Sequence, residues 1–277
     1  MLRQAHGVAT TARRSTSLVR RFKHGDAREQ LRQLLLSRAS ARGFSPEPVP
    51  DDVLANVVKM TQRAPSAFNT QPYACILVRD QADRDRLAGA MLASNGQKVK
   101  DAPVVAVFAA DLEPSRRVPR LQKMMYDNGA SPAEVNNLPL YLRMFAGEGH
   151  IADGIRSVIS TVISPLRAVP GAVPTIAWSF KQTTFAAATF LHAAESQGLV
   201  TRPMEGYDET RVRAALDIPD RYGIPVIIGC GYPKADAETS SRGPSPRLEA
   251  IEVFFDGKFG QSSANIFVNS KEAQKTE

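Results

Sequence analysis

Pro103-Val104-Val105-Ala106-Val107-Phe108-Ala109-Ala110 is a run of eight residues without one polar side chain. It is rich in β-branched valine and flanked by Asp101 and Asp111, so it reads as a buried strand. Tyr73-Ala74-Cys75-Ile76-Leu77-Val78-Arg79 repeats the pattern upstream. Residues 81–94 between them read as a helix. Further out, 199–202 and 225–230 read as strands, 208–216 as a helix, and 250–255 as an edge strand. Asp26 and Glu29 form a capping-box pattern for a helix ending near Ser37. Asp51 or Asp52 caps another, with Val53, Leu54, Val57 and Val58 on one face, stopping before Pro65. Thr175 to Gln197 is a long helix, apolar on nearly every side and therefore buried in a core or a subunit interface, with Gly198 as its stop. Residues 112–172 mix Pro, Arg and Asn with short helical patterns at 139–146 and 151–163, and read as a helical insertion. There is no internal repeat, and the polar residues from Asn269 onward read as a frayed end.

Charge separates the chain into two parts. Its 277 residues carry 35 Lys and Arg against 28 Asp and Glu, a net charge of +7. A basic chain raises nucleic acid as a partner. However, Arg3, Arg13, Arg14, Arg20, Arg21 and Lys23 all precede the first acid, Asp26, which leaves residues 26–277 at only +1. The leader, 1–25, is also rich in Ser and Thr. On a helix its arginines fall opposite Leu18, Val19 and Phe22, the pattern of a mitochondrial transit peptide. The expected organisation is thus a leader followed by one domain over 26–277, with no nucleic-acid partner. No apolar run approaches the ~18 residues of a membrane span.

Several chemistries lack their residues. Cys75 and Cys230 are the only cysteines, which excludes a disulfide scaffold or a Cys-rich zinc module. Both fall in strands with nothing nearby to lower their pKa, so they read as core residues. Gly147-Glu148-Gly149-His150-Ile151-Ala152 has the letters of a dinucleotide fingerprint, but the preceding segment reads as helix where a strand is required. No Walker A, HExxH, CxxC or GxSxG motif is present, no metal site is expected, and His192 reads as a satisfied buried side chain.

Four segments retain chemical interest. Arg38-Ala39-Ser40-Ala41-Arg42 offers two guanidiniums and a hydroxyl that suit a phosphate. Taken alone, it is better explained as a solvated basic turn. Pro65-Ser66-Ala67-Phe68-Asn69-Thr70-Gln71-Pro72 presents polar side chains between two prolines and could bond a flat heteroaromatic edge; alone, it is equally an ordinary polar loop. Thr201-Arg202-Pro203-Met204-Glu205-Gly206-Tyr207-Asp208 leads from a strand into a helix, with Gly206 permitting close backbone approach; alone, it is equally an ordinary strand-to-helix turn. Pro244-Ser245-Pro246-Arg247 places another Arg after a Gly/Ser/Pro-rich loop.

In this order, and with Lys181-Gln182 on the long helix, these segments resemble the FMN-dependent nitroreductase family over most of residues 26–255. With its transit-like leader the chain resembles the mitochondrial type I nitroreductases of parasitic protozoa. The resemblance implies an α+β nitroreductase-like fold: a central, mostly antiparallel sheet flanked by helices, in an intertwined homodimer with FMN at the interface. It implies that Arg38 and Ser40 bind the phosphate, helped by Arg247, with Ala39 and Ser245 also among the cofactor-binding residues. Arg42 would stand near flavin N1 and O2, and Asn95 and Gln182 would contact the ring system. Pro65, Ser66, Ala67 and Asn69 would come from the partner subunit, the backbone of Met204, Glu205 and Gly206 would lie beside N5, and Gln71 and Pro203 are also among the implied cofactor-binding residues. Phe68 would line the substrate pocket, with Tyr126, Tyr141 or Phe145 as companions. Two departures matter. Arg42 stands where the family often has Lys, and Ser245 where many relatives have a second basic ligand, a role Arg242 could take.

The implied reaction is two-electron hydride transfer from NADH or NADPH through FMN to a nitroaromatic or quinone, in ping-pong order and without a protein nucleophile. Two alternatives stand beside it: a same-fold flavoenzyme such as a dehalogenase or ring dehydrogenase, and a basic nucleic-acid-binding protein.

Overall fold

The computed structural model describes residues 24–148, 150–234 and 245–267. Two elements open the chain, α1 (His24–Ser37) and α2 (Asp51–Thr61), followed by β1 (Tyr73–Val78), α3 (Gln81–Ala88) and α4 (Asn95–Asp101). The apolar run at 103–110 becomes β2 (Val104–Asp111), buried along its whole length. Because strand side chains alternate in direction, Val105, Val107 and Ala109 enter one core, and Val104, Ala106 and Phe108 another. β1 lies antiparallel to β2 on one side. After α5 (Val118–Asp127), α6 (Pro132–Phe145), α7 (His150–Ile163) and α8 (Thr175–Glu195) come β3 (Val200–Met204), α9 (Glu209–Leu216) and β4 (Tyr222–Gly231). β4 pairs antiparallel with both β2 and β3. The sheet order is β1-β2-β4-β3, and Pro203 is tolerated because β3 is an edge.

Helices cover both faces. On one, Leu54 and Val57 of α2 join Ala186, Ala187, Phe190 and Ala194 of α8. Phe190 meets Phe108 edge-on, with ring centroids 5.8 Å apart. On the other face, Leu87 of α3, Val99 of α4 and Val212 of α9 close the second core. The expected long helix is thus buried by one face, while Ile176 and Phe185 point outward. Gly198 stops it as expected: its φ is +77°, and Leu199 N–H returns to Ala194 O at 3.1 Å. Residues 112–172 are helical, as expected, and Leu121, Leu138 and Leu142 pack on Trp178 of α8. Here α6 starts well before residue 139, because Ser131 and Glu134 form a capping box and Pro139 is carried inside the helix.

Four boundaries correct the sequence reading. The helix expected over 81–94 ends at Ala88. Residues 90–92 instead pair with the chain after β3, with Leu92 N–H donating to Gly206 O at 3.0 Å and Asp208 N–H to Ala90 O at 2.8 Å. A separate helix, α4, then begins at Asn95. The strand expected over 250–255 is a short helix, α10 (Ala250–Val253), started by a capping box between Glu249 and Glu252. α1 begins at His24, which places Asp26 inside its first turn. Pro50 is the N-cap of α2, and Asp51 and Asp52 lie in its first turn, where the helix dipole favours them. Residues 1–23, including most of the leader, and 268–277 lie outside the described residues. Gly147 and Glu148 follow helix α6, so the dinucleotide-like letters lack the strand they need before them. No helix among the described residues is long and apolar enough to cross a membrane.

Candidate functional site

The segment after α1 is laid along the start of β3. Ser40 bridges Thr201 in parallel, and Ala41 N–H donates to Thr201 O at 2.8 Å. Arg202 Nη1 closes the pairing by donating to Ala41 O at 2.6 Å. Arg38, Ala39, Ser40 and Arg42 thereby line one cavity of about 420 Å³, together with Ser37, Glu195 and Leu199. Burial pushes the Glu195 carboxyl up to about 7, with the charge of Arg38 opposing the rise. A larger cavity of about 1320 Å³ opens across Arg42, between Arg79, Arg84, Lys100 and Lys234. Apart from Arg42 it contains nothing of the four segments, so the smaller cavity is the candidate site.

The end of β3 builds a second feature. Met204 is buried, and Gly206 O accepts from Asn95 Nδ2 at 3.2 Å and from Leu92 N–H. A Cβ on Gly206 would stand 2.8 Å from Asn95 Nδ2, so only glycine allows this approach without displacing the amide. Lys98 Nζ donates to Asn95 Oδ1 at 3.2 Å and to Ser94 Oγ at 2.9 Å, fixing the amide. Burial, then the charge of Arg202, lower the Lys98 pKa. Lys98 and Arg202 are contributions sequence reasoning missed: α4 was hidden within a longer expected helix, and Arg202 read as part of an ordinary turn. Asp208 then caps α9 by accepting from Arg211 N–H at 3.1 Å.

The loop before β1 is held by its own polar groups. Ser66 Oγ accepts from Gln71 N–H at 2.9 Å, and Thr70 Oγ1 donates to Ala67 O at 2.8 Å. Ala67 N–H donates to Gln182 Oε1 at 2.8 Å, so that buried glutamine braces the loop. Gln71 Nε2 reaches Asn69 Oδ1 at 3.1 Å. Phe68, Asn69 and Gln71 have φ of 53°, 53° and 45°, an uncommon density of left-handed non-glycine residues. Phe68 stacks on Tyr141 at 5.3 Å and tilts against Phe145 at 5.3 Å. Tyr141 and Phe145, both within 112–172, are thus the ring neighbours of Phe68.

These features are not all brought together. The Arg38–Arg42 segment and the Asn95–Gly206 pair share β3, about 15 Å apart by strand rise. The Pro65–Pro72 loop enters β1, at the opposite edge of the sheet, about 14 Å away by strand spacing. Ser245 and Arg247 are exposed, and Arg247 Nη1 donates to Ser245 O at 2.9 Å and Pro246 O at 3.1 Å within its own turn. Neither lines the cavity of Arg38. Arg242 lies outside the described residues.

Burial pushes both the Cys75 and Cys230 thiols up to about 12, although only Cys230 is fully buried and Cys75 is partly exposed at the edge of the same core. His192 departs from expectation, since its Nδ1 is buried without a partner. Among the described residues no group of three or more His, Cys, Asp or Glu could hold a metal ion. The remaining chemistry is that of two guanidiniums and a hydroxyl facing a cavity, with an amide and a glycine backbone further along the same strand.

Known proteins resemble the chain in sequence and in fold. A family model described as "Nitroreductase family" matches residues 35–232. An NADH dehydrogenase of Thermus thermophilus is 30% identical over 213 residues, 77% of this chain and 91% of that protein. A nitroreductase family protein of Streptococcus pneumoniae has a TM-score of 0.62 at 20% identity, covering 81% of this chain and 98% of that one. A protein of Exiguobacterium sibiricum assigned as a nitroreductase and solved in complex with FMN has a TM-score of 0.62 at 17% identity, covering 82% and 97%. The first two findings establish sequence kinship and the last two the shared fold. The sheet, the motif order and the extent of the match agree, and the chain belongs to the nitroreductase family of oxidoreductases.

Proposed function

We propose that the chain binds FMN and uses it to oxidise NADH or NADPH and to reduce a nitroaromatic or a quinone, alternating the two substrates in ping-pong order. One observation carries the reading: β3 joins phosphate-type donors at its start to the Asn95–Gly206 pair at its end, an elongated cradle that suits a mononucleotide. The residues fit the cofactor. Arg38 and Ser40 supply charge-assisted bonds for a phosphate, and Arg42 adds a cation nearby. Gly206 lets the Asn95 amide sit close against the backbone, and that amide, fixed by Lys98, is the group that would meet the ring. Bound FMN would supply hydride transfer at N5, which needs no nucleophile from the protein. The cations Arg42, Lys98 and Arg202 would favour a reduced, negatively charged ring system.

The same reading makes the active unit a homodimer. The Pro65–Pro72 loop enters β1, at the sheet edge opposite β3, so it would complete the site of a partner copy. The exposed arm carrying Leu248, Ile251, Phe254 and Phe259 has apolar surface that such a partner would cover, and Ser245 and Arg247 would travel with it. Phe68 with Tyr141 and Phe145 forms an aromatic wall suited to flat electron acceptors. The acid-free basic leader supports mitochondrial delivery, with a single domain following it; N-terminal sequencing of protein from its native cells tests this and would contradict it by finding Met1 intact.

The decisive experiment for function is FMN titration of the purified protein, followed by turnover with NADH and NADPH against a quinone and a nitroaromatic. A yellow dimer that turns over at least one acceptor supports the reading. A protein that takes up no FMN overturns it. A protein that binds FMN but turns over neither acceptor moves the assignment to another reaction on the same fold.

A further inference from the structure

We propose that Arg117, held by Asp111, is a positioning residue that sets the geometry of the Ser66–Gln71 loop and, through Phe68, the reach of the electron acceptor. The inference about the acceptor rests on the functional reading above; the inference about the loop does not. Asp111 is the last residue of β2 and is fully buried. Its Oδ2 lies 3.2 Å from Arg117 Nε and 3.7 Å from Arg221 Nη2, and its Oδ1 accepts from Glu113 N–H at 3.1 Å. Its main chain is held too: its N–H donates to Pro72 O at 2.8 Å, and its O accepts from Ser179 Oγ at 2.7 Å. A buried carboxylate so surrounded fixes the guanidinium that pairs with it.

Arg117 then reaches out of the Pro114–Arg117 turn to the loop. Its Nη2 donates to Tyr73 O at 3.0 Å, and its Nη1 donates to Gln71 O. Those carbonyls flank Pro72, at the point where the loop enters β1. Three non-glycine residues with left-handed φ within four positions persist only where surrounding contacts hold them. The Gln182 bond to Ala67 N–H braces the start of the loop, and Arg117 braces its end. Between the two braces, Phe68 is held outward against Tyr141 and Phe145. Arg221 shares the Asp111 carboxylate, but its hydrogen bond goes to Tyr222 Oη, which makes it an internal control.

Hydrogen exchange at residues 66–71 of the full chain without FMN tests the loop directly. Arg117→Gln should speed exchange there about tenfold, Arg117→Lys less, and Arg221→Gln by under twofold. With FMN and NADH, Arg117→Gln should raise the acceptor KM about tenfold while kcat for a saturating acceptor changes by under threefold. Should Arg117→Gln fail to fold, the comparison of Arg117→Lys with Arg221→Gln stands alone. Equal exchange in the Arg117 and Arg221 variants, or none above the unaltered chain, overturns the positioning role. Faster exchange in a chain that takes up no FMN supports the loop brace and sinks the functional reading instead. Faster exchange in a loaded chain with unchanged acceptor KM overturns the link to Phe68.

Discussion

Gly206→Ala puts a methyl group where the structure leaves no room. The new Cβ would lie 2.8 Å from Asn95 Nδ2 and 3.8 Å from Leu92 Cβ. The amide must turn away, losing its 3.2 Å bond to Gly206 O, while Leu92 N–H keeps that carbonyl satisfied. Losing one neutral hydrogen bond costs about 1 kcal/mol. Gly206 is not among the positive-φ glycines, so alanine regains about 0.4–1 kcal/mol by restricting the unfolded chain. Stability should therefore move by less than about 1 kcal/mol, a few degrees in Tm. FMN affinity has no such compensation. Displacing an amide that presents a bond to the ring should cost about 1.4 kcal/mol, a tenfold rise in Kd. Titration by quenching of flavin fluorescence reads the Kd, and a thermal melt reads the stability. Asn95→Ala removes the group that clashes, so the double variant should bind FMN no worse than Asn95→Ala alone. Strictly additive losses, or unchanged affinity in Gly206→Ala, would refute the reasoning.

Arg38→Ala should weaken FMN binding about 10- to 100-fold, the loss of one charge-assisted bond at about 1.5–3 kcal/mol, with little change in Tm; unchanged Kd removes Arg38 from the phosphate site. Glu195, pushed up to about 7 from 4.5, gives the folded chain a proton that the unfolded chain lacks between those values. Its contribution to stability is full below pH 4.5 and is lost as pH rises to about 7, so Glu195→Gln should flatten the fall in Tm across that window; a parallel pair of curves contradicts this. The same carboxylate shares its cavity with Arg38 and Ser40, so FMN Kd should rise above pH 7 in the unaltered chain and less in Glu195→Gln. Cys230, fully buried and with its thiol near 12, should react with a thiol reagent at neutral pH only on unfolding; rapid labelling of Cys230 in the native chain contradicts this.

What could be read from the sequence followed from how local each signal is. β2 was legible because an eight-residue apolar run needs no partner to be recognised, and α8 because its length and composition leave little else. α4 was not, since the break at residues 89–94 is made by pairing with residues 206–208, more than a hundred positions away. α10 read as a strand because Ile251 and Val253 favour strands, yet the Glu249–Glu252 capping box started a helix there. The same distinction holds in the site. Arg38, Ser40 and Gly206 announced themselves by residue type in a recognisable order. Lys98, Arg202 and Arg117 act through contacts with distant backbone, for which a single sequence carries no mark. Gln182 was legible as a position but its bond was not: its oxygen braces Ala67.

The central claim is that this chain holds FMN on β3 and passes electrons through it from a reduced nicotinamide. Its most direct test is anaerobic addition of NADH, and separately NADPH, to the FMN-loaded protein while the visible flavin band is followed. The account predicts that at least one of them bleaches the band and that a quinone added afterwards restores it. A loaded protein whose band neither nucleotide alters, or a chain that never acquires the band, would contradict it.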